Sequence, residues 1–480
     1  MSPASGSRRI LLVSYHFGED GATGGFRWSG LVELLGRKGW EFDVICAPTG
    51  GPPPDADPRT PAGGPLQVFP VPGASRVGAG LRSLEGLPRR IRGATGHARP
   101  GPGDAGAAGD AKGAGDAKAD GEAAQATARA VDPASVSVWH PGHRPPLHSR
   151  IMREIEACAE ALEIRAWVEE AARLGEGLMA RRDYRAIVVS SPPHGTQMAG
   201  LRLSRGAGAP PLLADLRDPW VLGLGRFAGI LPAVTRALGR RQEERMIAGA
   251  DVLIHNTDRH RVAVAAEMGR GRRPAQWVIR NGYDGDEAPG VPDPEVFRMV
   301  FAGWLHPFMD VRAFLRGAGA LVRRHGLSPD ACRVQFVGTG EEFGGVSLLE
   351  LAGAFGLEGY TELLPRVSRE AALSIQARAS VLVAFDCLHP LCIPMKFFDY
   401  ATMRGHLLLI GNRDGAMADA AARLDNPVCP VDDEGAVDQV LEGALDAWRS
   451  GRSRAVNDPR GLFRRSVQAD LLHQRLEEMP

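Results

Sequence analysis

Lys396 stands in a largely apolar and aromatic run, CLHPLCIPMKFFDYATMRGHLLLIG (residues 387–411), three residues before Asp399. Lysine and aspartate are seldom fully buried without a partner. Either both face solvent from one side of a helix, or both reach into a cleft where something binds. Pro394 suits the first turn of a helix, which would place Lys396 and Asp399 at i, i+3 on one face near its positive end. An ammonium can pair with phosphate and a carboxylate can accept ribose hydroxyls, so the pair suits the two ends of a nucleotide diphosphate.

Other residues with chemical potential fall in loops that follow apolar, strand-length runs. HFGEDGATGGFRW carries Gly18, Gly21, Gly24 and Gly25 ahead of a helical pattern, where backbone N–H groups and the helix start would favour an anion. These glycines do not spell GxGxxG and no Walker lysine follows, which counts against a nicotinamide dehydrogenase and a P-loop enzyme. Arg27 is either a phosphate or acceptor contact or an exposed helix residue. In SSPPHGTQ, His194 sits at a strand-to-helix turn, as a catalytic group or a polar cap. ADLRDPW gathers Asp215, Arg217 and Asp218 at a strand end, which requires a structural ion-pair network or an acceptor-binding or acid–base role. VGTGEE supplies Gly338 and Gly340 for close backbone approach to a ring or phosphate. LLPRVSREA places Val367 and Ser368 at a helix start, where main-chain groups could read a nucleobase edge.

Positioning these loops requires alternating strands and helices, and the pattern runs from end to end. RILLVSY, EFDVICAP, PLQVFPVP, YRAIVVSS, PLLADLRD, DVLIHNT and WVIRNG read as strands of a first unit. VFRMVFAGWL, RVQFVGTG, YTELLP, SVLVAF, HLLLIG and NPVCPV read as strands of a second. Trp28, Leu31, Val32 and Leu35 mark one apolar helix face, and residues 151–182 read as a long helix. The polar link GYDGDEAPGVPDP separates the two units, giving expected domains at 1–290 and 291–455. A closing helix at 456–480, with Phe463, Val467, Leu471, Leu472 and Leu476 at helical spacing, would pack on the first domain.

A chain of 480 residues exceeds one ordinary core, and 44% hydrophobic with 24% charged residues is the composition of a soluble enzyme. Zero formal net charge argues against a nucleic-acid binder. The six scattered cysteines, with no CxxC pair, suit a reducing cytoplasm and no zinc site. No run approaches the roughly 18–20 apolar residues of a membrane span, and the N-terminal stretch reads as a strand, not a leader. Residues 74–148 break the rhythm with an Ala/Gly-rich tract including GDAKGAGDAKADG, expected as a flexible insertion. The arginine-rich stretch 76–99 is a solvated loop or a peripheral contact with anionic lipid at the inner membrane face.

ILLVSYHFGEDGATGGFRWSGLVELLGRKGWEFDVI, SSPPHG with PLLADLRDPW, IRNGYD and IPMKFFDYATMRGHLLLIG together resemble the GT-B-fold nucleotide-sugar glycosyltransferases of family 4, of the bacterial cell-surface polysaccharide type. The resemblance implies an α/β GT-B fold, two Rossmann-like domains facing across a cleft with a C-terminal helix crossing back. It implies a UDP- or GDP-type sugar as co-substrate, no other cofactor, no metal and retention of configuration. It places Lys396 near the diphosphate, with Pro394 at its helix start, and Asp399 on the ribose. Gly338, Gly340, Arg366, Val367 and Ser368 would flank the base. His194 and the Asp215–Asp218 cluster, with Arg217 in it, would face the transferred sugar and acceptor, and Gly24, Gly25 and Arg27 would form an acceptor or phosphate loop. The acceptor would be a glycan, a lipid-linked or a small molecule. The chain departs from the pattern: Asp399 stands where the family usually has a glutamate, shortening the reach by one methylene, Leu391 stands where many members have a first glutamate, and AGWLHPFMDVR offers only His306 and Arg312 in place of an Arg/Lys pair. The departures keep two alternatives open, a non-catalytic nucleotide-binding scaffold and another GT-B enzyme such as a sugar-nucleotide epimerase.

Overall fold

Parallel strands covered on both faces need nearly continuous apolar runs, and the strands of this chain are of that kind. The computed structural model describes residues 7–18, 25–48, 65–72, 131–140, 147–269, 273–285, 290–452 and 454–479. The first sheet is built from β1 (Arg9–Ser14), β2 (Glu41–Cys46), β3 (Leu66–Pro70), β4 (Ala186–Ser191), β5 (Leu212–Leu216), β6 (Val252–His255) and β7 (Ala275–Val278). All pairs are parallel, in the order β3-β2-β1-β4-β5-β6-β7. Its helices are α1 (Gly25–Gly36), α2 (Leu147–Met179), α3 (Gln197–Leu203), α4 (Ala233–Gly249) and α5 (Asp258–Glu267).

The second sheet has the order β12-β9-β8-β13-β14, again parallel, from β8 (Phe297–Ala302), β9 (Cys332–Val337), β12 (Thr361–Leu364), β13 (Val381–Phe385) and β14 (His406–Ile410). A small hairpin, β10 (Glu342–Phe343) and β11 (Val346–Ser347), lies beyond β9. The helices here are α6 (Arg312–His325), α7 (Leu348–Ala354), α8 (Arg369–Ala377), α9 (Met395–Ala401), α10 (Ala416–Ala422), α11 (Glu434–Arg449) and α12 (Arg465–Glu477). Strand order reverses between β1 and β4 in one sheet and between β8 and β13 in the other. In such sheets the crevice at the reversal is where post-strand loops diverge and ligands bind. No described helix is long and apolar enough to cross a membrane.

Several expectations are corrected. NPVCPV forms one bridge, Ile410 to Cys429, not a strand; Pro427 and Pro430 lack the N–H a ladder needs. The β10–β11 hairpin went unforeseen; its turn is made by Gly344 and Gly345, both at positive φ. The expected insertion at 74–148 is too long, because residues 131–140 are a strap on the second domain. Val136 is buried in that domain's core, Ser137 N–H donates to Gly344 O at 3.2 Å and Trp139 N–H to Pro307 O at 2.9 Å. Residues 74–130 and 141–146, and with them the basic stretch 76–99, lie outside the described residues. The long helix starts at Leu147, and its N-terminal apolar residues Ile151, Ile155 and Leu162 are exposed while Trp167 and Leu178 are buried.

The closing segment serves both domains. Phe463 precedes α12 and packs edge-on against Phe397 and Phe398 at ring separations of 5.4 and 5.9 Å. Ala469, Leu472 and Leu476 of α12 lie in the first domain's core beside Trp28, Leu31 and Leu35. Val467, although at helical spacing with them, is 44% exposed. Leu472→Ala should therefore destabilise the protein by about 2–5 kcal/mol, read from the denaturant midpoint, whereas Val467→Ala should stay within about 0.5 kcal/mol of wild type.

Candidate functional site

Asp215, the residue before the last of β5, is fully buried near the reversal between β1 and β4. A buried carboxylate must be paired and hydrogen-bonded. Its side chain accepts from Arg27 Nε at 3.2 Å and Nη2 at 3.0 Å, from Trp28 Nε1 at 2.7 Å and from Ser190 Oγ at 2.8 Å. Arg27 also donates to Asn281 Oδ1 at 3.0 Å and Ile279 O at 2.8 Å. Arg27, expected at a phosphate or acceptor, thus points into the domain and braces it. The glycine loop is itself tight: a Cβ on Gly25 would stand 2.1 Å from Gly18 O. Gly24 lies outside the described residues.

Above this network is the wall formed by the loops after β4 and β5. His194 opens a short 3-10 turn, stacks on Trp220 at 5.2 Å and 12°, and has Nδ1 3.4 Å from Ser191 Oγ. Burial and the neighbouring Arg217 push its pKa down to about 3, so the ring is neutral at physiological pH. Trp220 is held because Glu243 of α4, itself buried, accepts from the N–H groups of Val221 and Leu222 at 2.9 and 2.7 Å. Arg217 is buried and donates to Pro192 O at 3.2 Å. Asp218 reaches solvent in the cleft yet is ringed by protein, and that desolvation raises its pKa against the opposing pull of Arg217.

The opposite wall belongs to the second domain. Pro394 is the N-cap of α9 and not a first-turn residue. Lys396 follows in the first turn and lies half-buried with Nζ 3.6 Å from the ring centroid of Phe301. Gly303, at positive φ after β8, leaves the room; a Cβ there would come within 3.4 Å of Nζ. Burial pushes the Lys396 pKa down to about 7, and among the described residues no carboxylate lies within ion-pair distance of it. Asp399, one turn on, is paired with Arg369, which donates at 2.7 Å to Oδ1 and 3.3 Å to Oδ2. The expected Lys396–Asp399 face therefore exists, with each side chain turned to a different partner.

Around them, Gly338 lies at positive φ with the Arg366 Cα 3.8 Å from its would-be Cβ, and Gly340 lies beneath the exposed Trp304. Ser368 caps α8, its Oγ accepting from Ala371 N–H at 3.2 Å, and Val367 packs on the core. Arg366 is exposed beside this turn. Gly338 and Arg366, two of the residues expected to flank the base, thus lie together. Of the departures, Leu391 is buried and its carbonyl accepts from Thr257 Oγ1 of the first domain at 2.6 Å. His306 stacks on Phe308, and Arg312 is forked onto Asp310.

The two walls touch at several points. Cys392 Sγ is 4.0 Å from Asp218 Oδ1, Arg259 of α5 grips Asp419 at 2.6 and 2.9 Å and Asp414 at 2.5 Å, and Arg369 lies over the Phe26 ring at 5.1 Å. A cavity of about 10 Å³ remains between Arg27, Leu31, Asn281, Gly282, Met395 and Arg465. Sequence reasoning missed Arg369, Phe26, Asp386 and Arg259. Asp386 directly follows β13 and accepts from Cys387 and Asn412 N–H groups at 2.8 and 3.2 Å, and burial raises its pKa to about 6. Its place at the end of an apolar strand was a signal; Arg259 carried none. Asp215→Asn should cost about 3–5 kcal/mol in chemical denaturation by stranding Arg27, and adding Arg27→Met should recover part of the loss.

No family model and no curated protein sequence matches the chain. Solved structures match over 98% of it. A sucrose-phosphate synthase from Thermosynechococcus elongatus is 13% identical at TM-score 0.53, covering 98% of each chain. A UDP-forming alpha,alpha-trehalose-phosphate synthase from Burkholderia vietnamiensis is 12% identical at TM-score 0.56, covering 98% of this chain and 100% of that one. An E. coli trehalose-6-phosphate protein bound with UDP-2-fluoro glucose is 11% identical at TM-score 0.55, covering 98% and 99%. The narrower resemblance to family 4 has no counterpart in these matches. At such identities the likeness speaks for the fold, and the fold is GT-B: two Rossmann-like domains facing across a cleft.

Proposed function

We propose that the chain is a glycosyltransferase that moves a sugar from a nucleotide-diphosphate sugar to an acceptor hydroxyl, with retention and without a metal. The observation that carries the reading is Lys396. A half-buried ammonium beside Phe301 at the β8–β13 reversal, with no carboxylate within ion-pair range among the described residues, asks for an anion. A diphosphate supplies it, and Asp399 one turn away can take ribose hydroxyls. The neighbours are in keeping with this, since one is described as UDP-forming and another is bound with UDP-2-fluoro glucose. A UDP-type donor and a cytoplasmic location are parts of the proposal, as is a small-molecule, glycan or lipid-linked acceptor.

In this mechanism the protein contributes positioning and charge stabilisation. Lys396 stabilises the departing diphosphate as charge builds on it. His194, neutral and stacked on Trp220, can accept a hydrogen bond from a sugar or acceptor hydroxyl. Asp218 and Arg217 line the acceptor side. The leaving phosphate takes the acceptor proton, so no carboxylate nucleophile is required.

A second reading, a non-catalytic nucleotide-binding scaffold, is favoured by Leu391 in the glutamate position and by Arg312 being committed to Asp310. Thermal shift against UDP, GDP, ADP, CDP and dTDP, alone and as sugar conjugates, separates the readings. A nucleotide at a hundred times its Kd should stabilise wild type by about 2.7 kcal/mol and Lys396→Ala by far less. Turnover unaffected by EDTA, with the donor's anomeric configuration kept in the product by NMR, would support the enzyme; stabilisation without turnover would support the scaffold.

Lys396 also makes a ligand-free prediction. Its folded pKa of about 7 lies below the ordinary 10.5, so the unfolded chain binds the extra proton between these values. Stability from this group therefore rises with pH across that window, and the full cost of the buried charge is present below it. Lys396→Met should raise Tm at pH 6, and the gain should shrink by pH 10.

A further inference from the structure

Arg369 is the first residue of α8, directly after the capping Ser368, and no role falls to it in the mechanism above. Its guanidinium forks onto Asp399, one nitrogen to each carboxylate oxygen, at 2.7 and 3.3 Å. The same guanidinium lies over the ring of Phe26, 5.1 Å from its centroid, and Phe26 belongs to α1 of the other domain. Phe26 is in turn anchored, because its carbonyl accepts from Arg465 of α12, which also reaches Gly282 O at 3.1 Å. One side chain thus joins the carboxylate of the second domain to the glycine-loop helix of the first, across the cleft.

The geometry of a carboxylate decides what this means. It presents one edge on which both oxygens accept in parallel, and a guanidinium fork fills that edge. A ribose 2′,3′-cis-diol donates two hydroxyls at nearly the same spacing, so it needs the same edge. We propose that Arg369 is a latch: it occupies the edge of Asp399 that a ribose cis-diol must take, and its stacking on Phe26 ties the occupied state to the closed cleft. The inference rests on the reading of Asp399 as the ribose carboxylate. A donor nucleotide displaces the fork, frees the contact with Phe26 and lets the domains readjust around it. Arg369 is half exposed, so displacement into water is inexpensive. Arg369 is accordingly a positioning residue, acting through Asp399.

The latch predicts a gain of affinity on truncation, which a supporting role would not. Calorimetric titration of wild type and Arg369→Met with UDP and with dUDP, and likewise with the ADP and GDP pairs, reads it. Arg369→Met should bind the preferred ribonucleotide about three- to tenfold more tightly, the size of a half-exposed ion pair plus one cation–π contact. Its deoxy partner, which has no cis-diol, should show no gain. Unchanged or weaker ribonucleotide binding by Arg369→Met, or an equal gain for the deoxy form, overturns the latch. Small-angle scattering of the nucleotide-free proteins tests the tie to the closed cleft without any ligand. Arg369→Met and Phe26→Ala should both have a larger radius of gyration than wild type, and identical scattering overturns that tie. If no nucleotide binds wild type or variant, the donor reading of Asp399 fails and the competition with it, while the scattering still judges the interdomain contact.

Discussion

A carboxylate with no exposed surface has to have its charge matched where it sits, and Asp215 is matched from several elements at once. Arg27 and Trp28 come from α1, Ser190 from β4, and through Arg27 the network extends to Ile279 and Asn281 after β7. The Asp215 carbonyl adds a further tie, accepting from Gln197 Nε2 and Ser191 Oγ, both at 3.3 Å, beside the turn that carries His194. Removing one partner from such a pair leaves a buried charge, so the first domain's cleft wall can exist only with these elements in place. The reversal between β1 and β4 makes this ring of contacts reachable, because it sets α1 and the β4 and β5 loops around one point.

The second domain solves the same positioning problem with less charge. Lys396 is supported by an aromatic face and by the absence of a side chain at Gly303, and not by a counter-ion. That leaves the cation desolvated and short of compensation, a condition favourable to binding an anion and unfavourable to stability. Across the cleft the first domain offers a neutral histidine on Trp220 with Arg217 and Asp218 beside it. Arg259 pairs across the interface with Asp414 and Asp419, while Arg369 pairs with Asp399 within the second domain and reaches across to the Phe26 ring. Exposed pairs of this kind contribute little each, so they can open and close at small cost. A hydrophobic seam would not allow that.

Two segments hold the halves in relation. The closing segment places Phe463 in one core and Leu472 and Leu476 in the other, so the return crossing is anchored at both ends by apolar burial. The strap at 131–140 lays Val136 into the second domain's core from a position in the chain that precedes α2 of the first.

Strands such as RILLVS, AIVVSS and VLVAF were legible because a doubly covered strand must be apolar throughout, and the α1 face was legible because Trp28, Leu31, Val32 and Leu35 keep a helical period. The post-strand loops followed from the alternation of elements, and with them His194, Asp218, Gly338, Lys396 and Asp399 as residues at one end of the sheets. Local pattern could not say where side chains point once there. Arg27 turned inward because Asp215, 188 positions away, needed its charge, and Val467 turned out to solvent although its spacing matched Leu471. NPVCPV lacked the N–H groups for a ladder, and residues 131–140 found their partner in Gly344 and Pro307, far along the chain. The pairing of Arg369 with Asp399 and Phe26 belongs to the same class. Sequence by itself determined the elements and which ends carry polar residues, because those depend on neighbours within a turn or a strand. Tertiary structure decided which charges meet, because pairing depends on residues brought within 3–4 Å by a topology that no local period encodes.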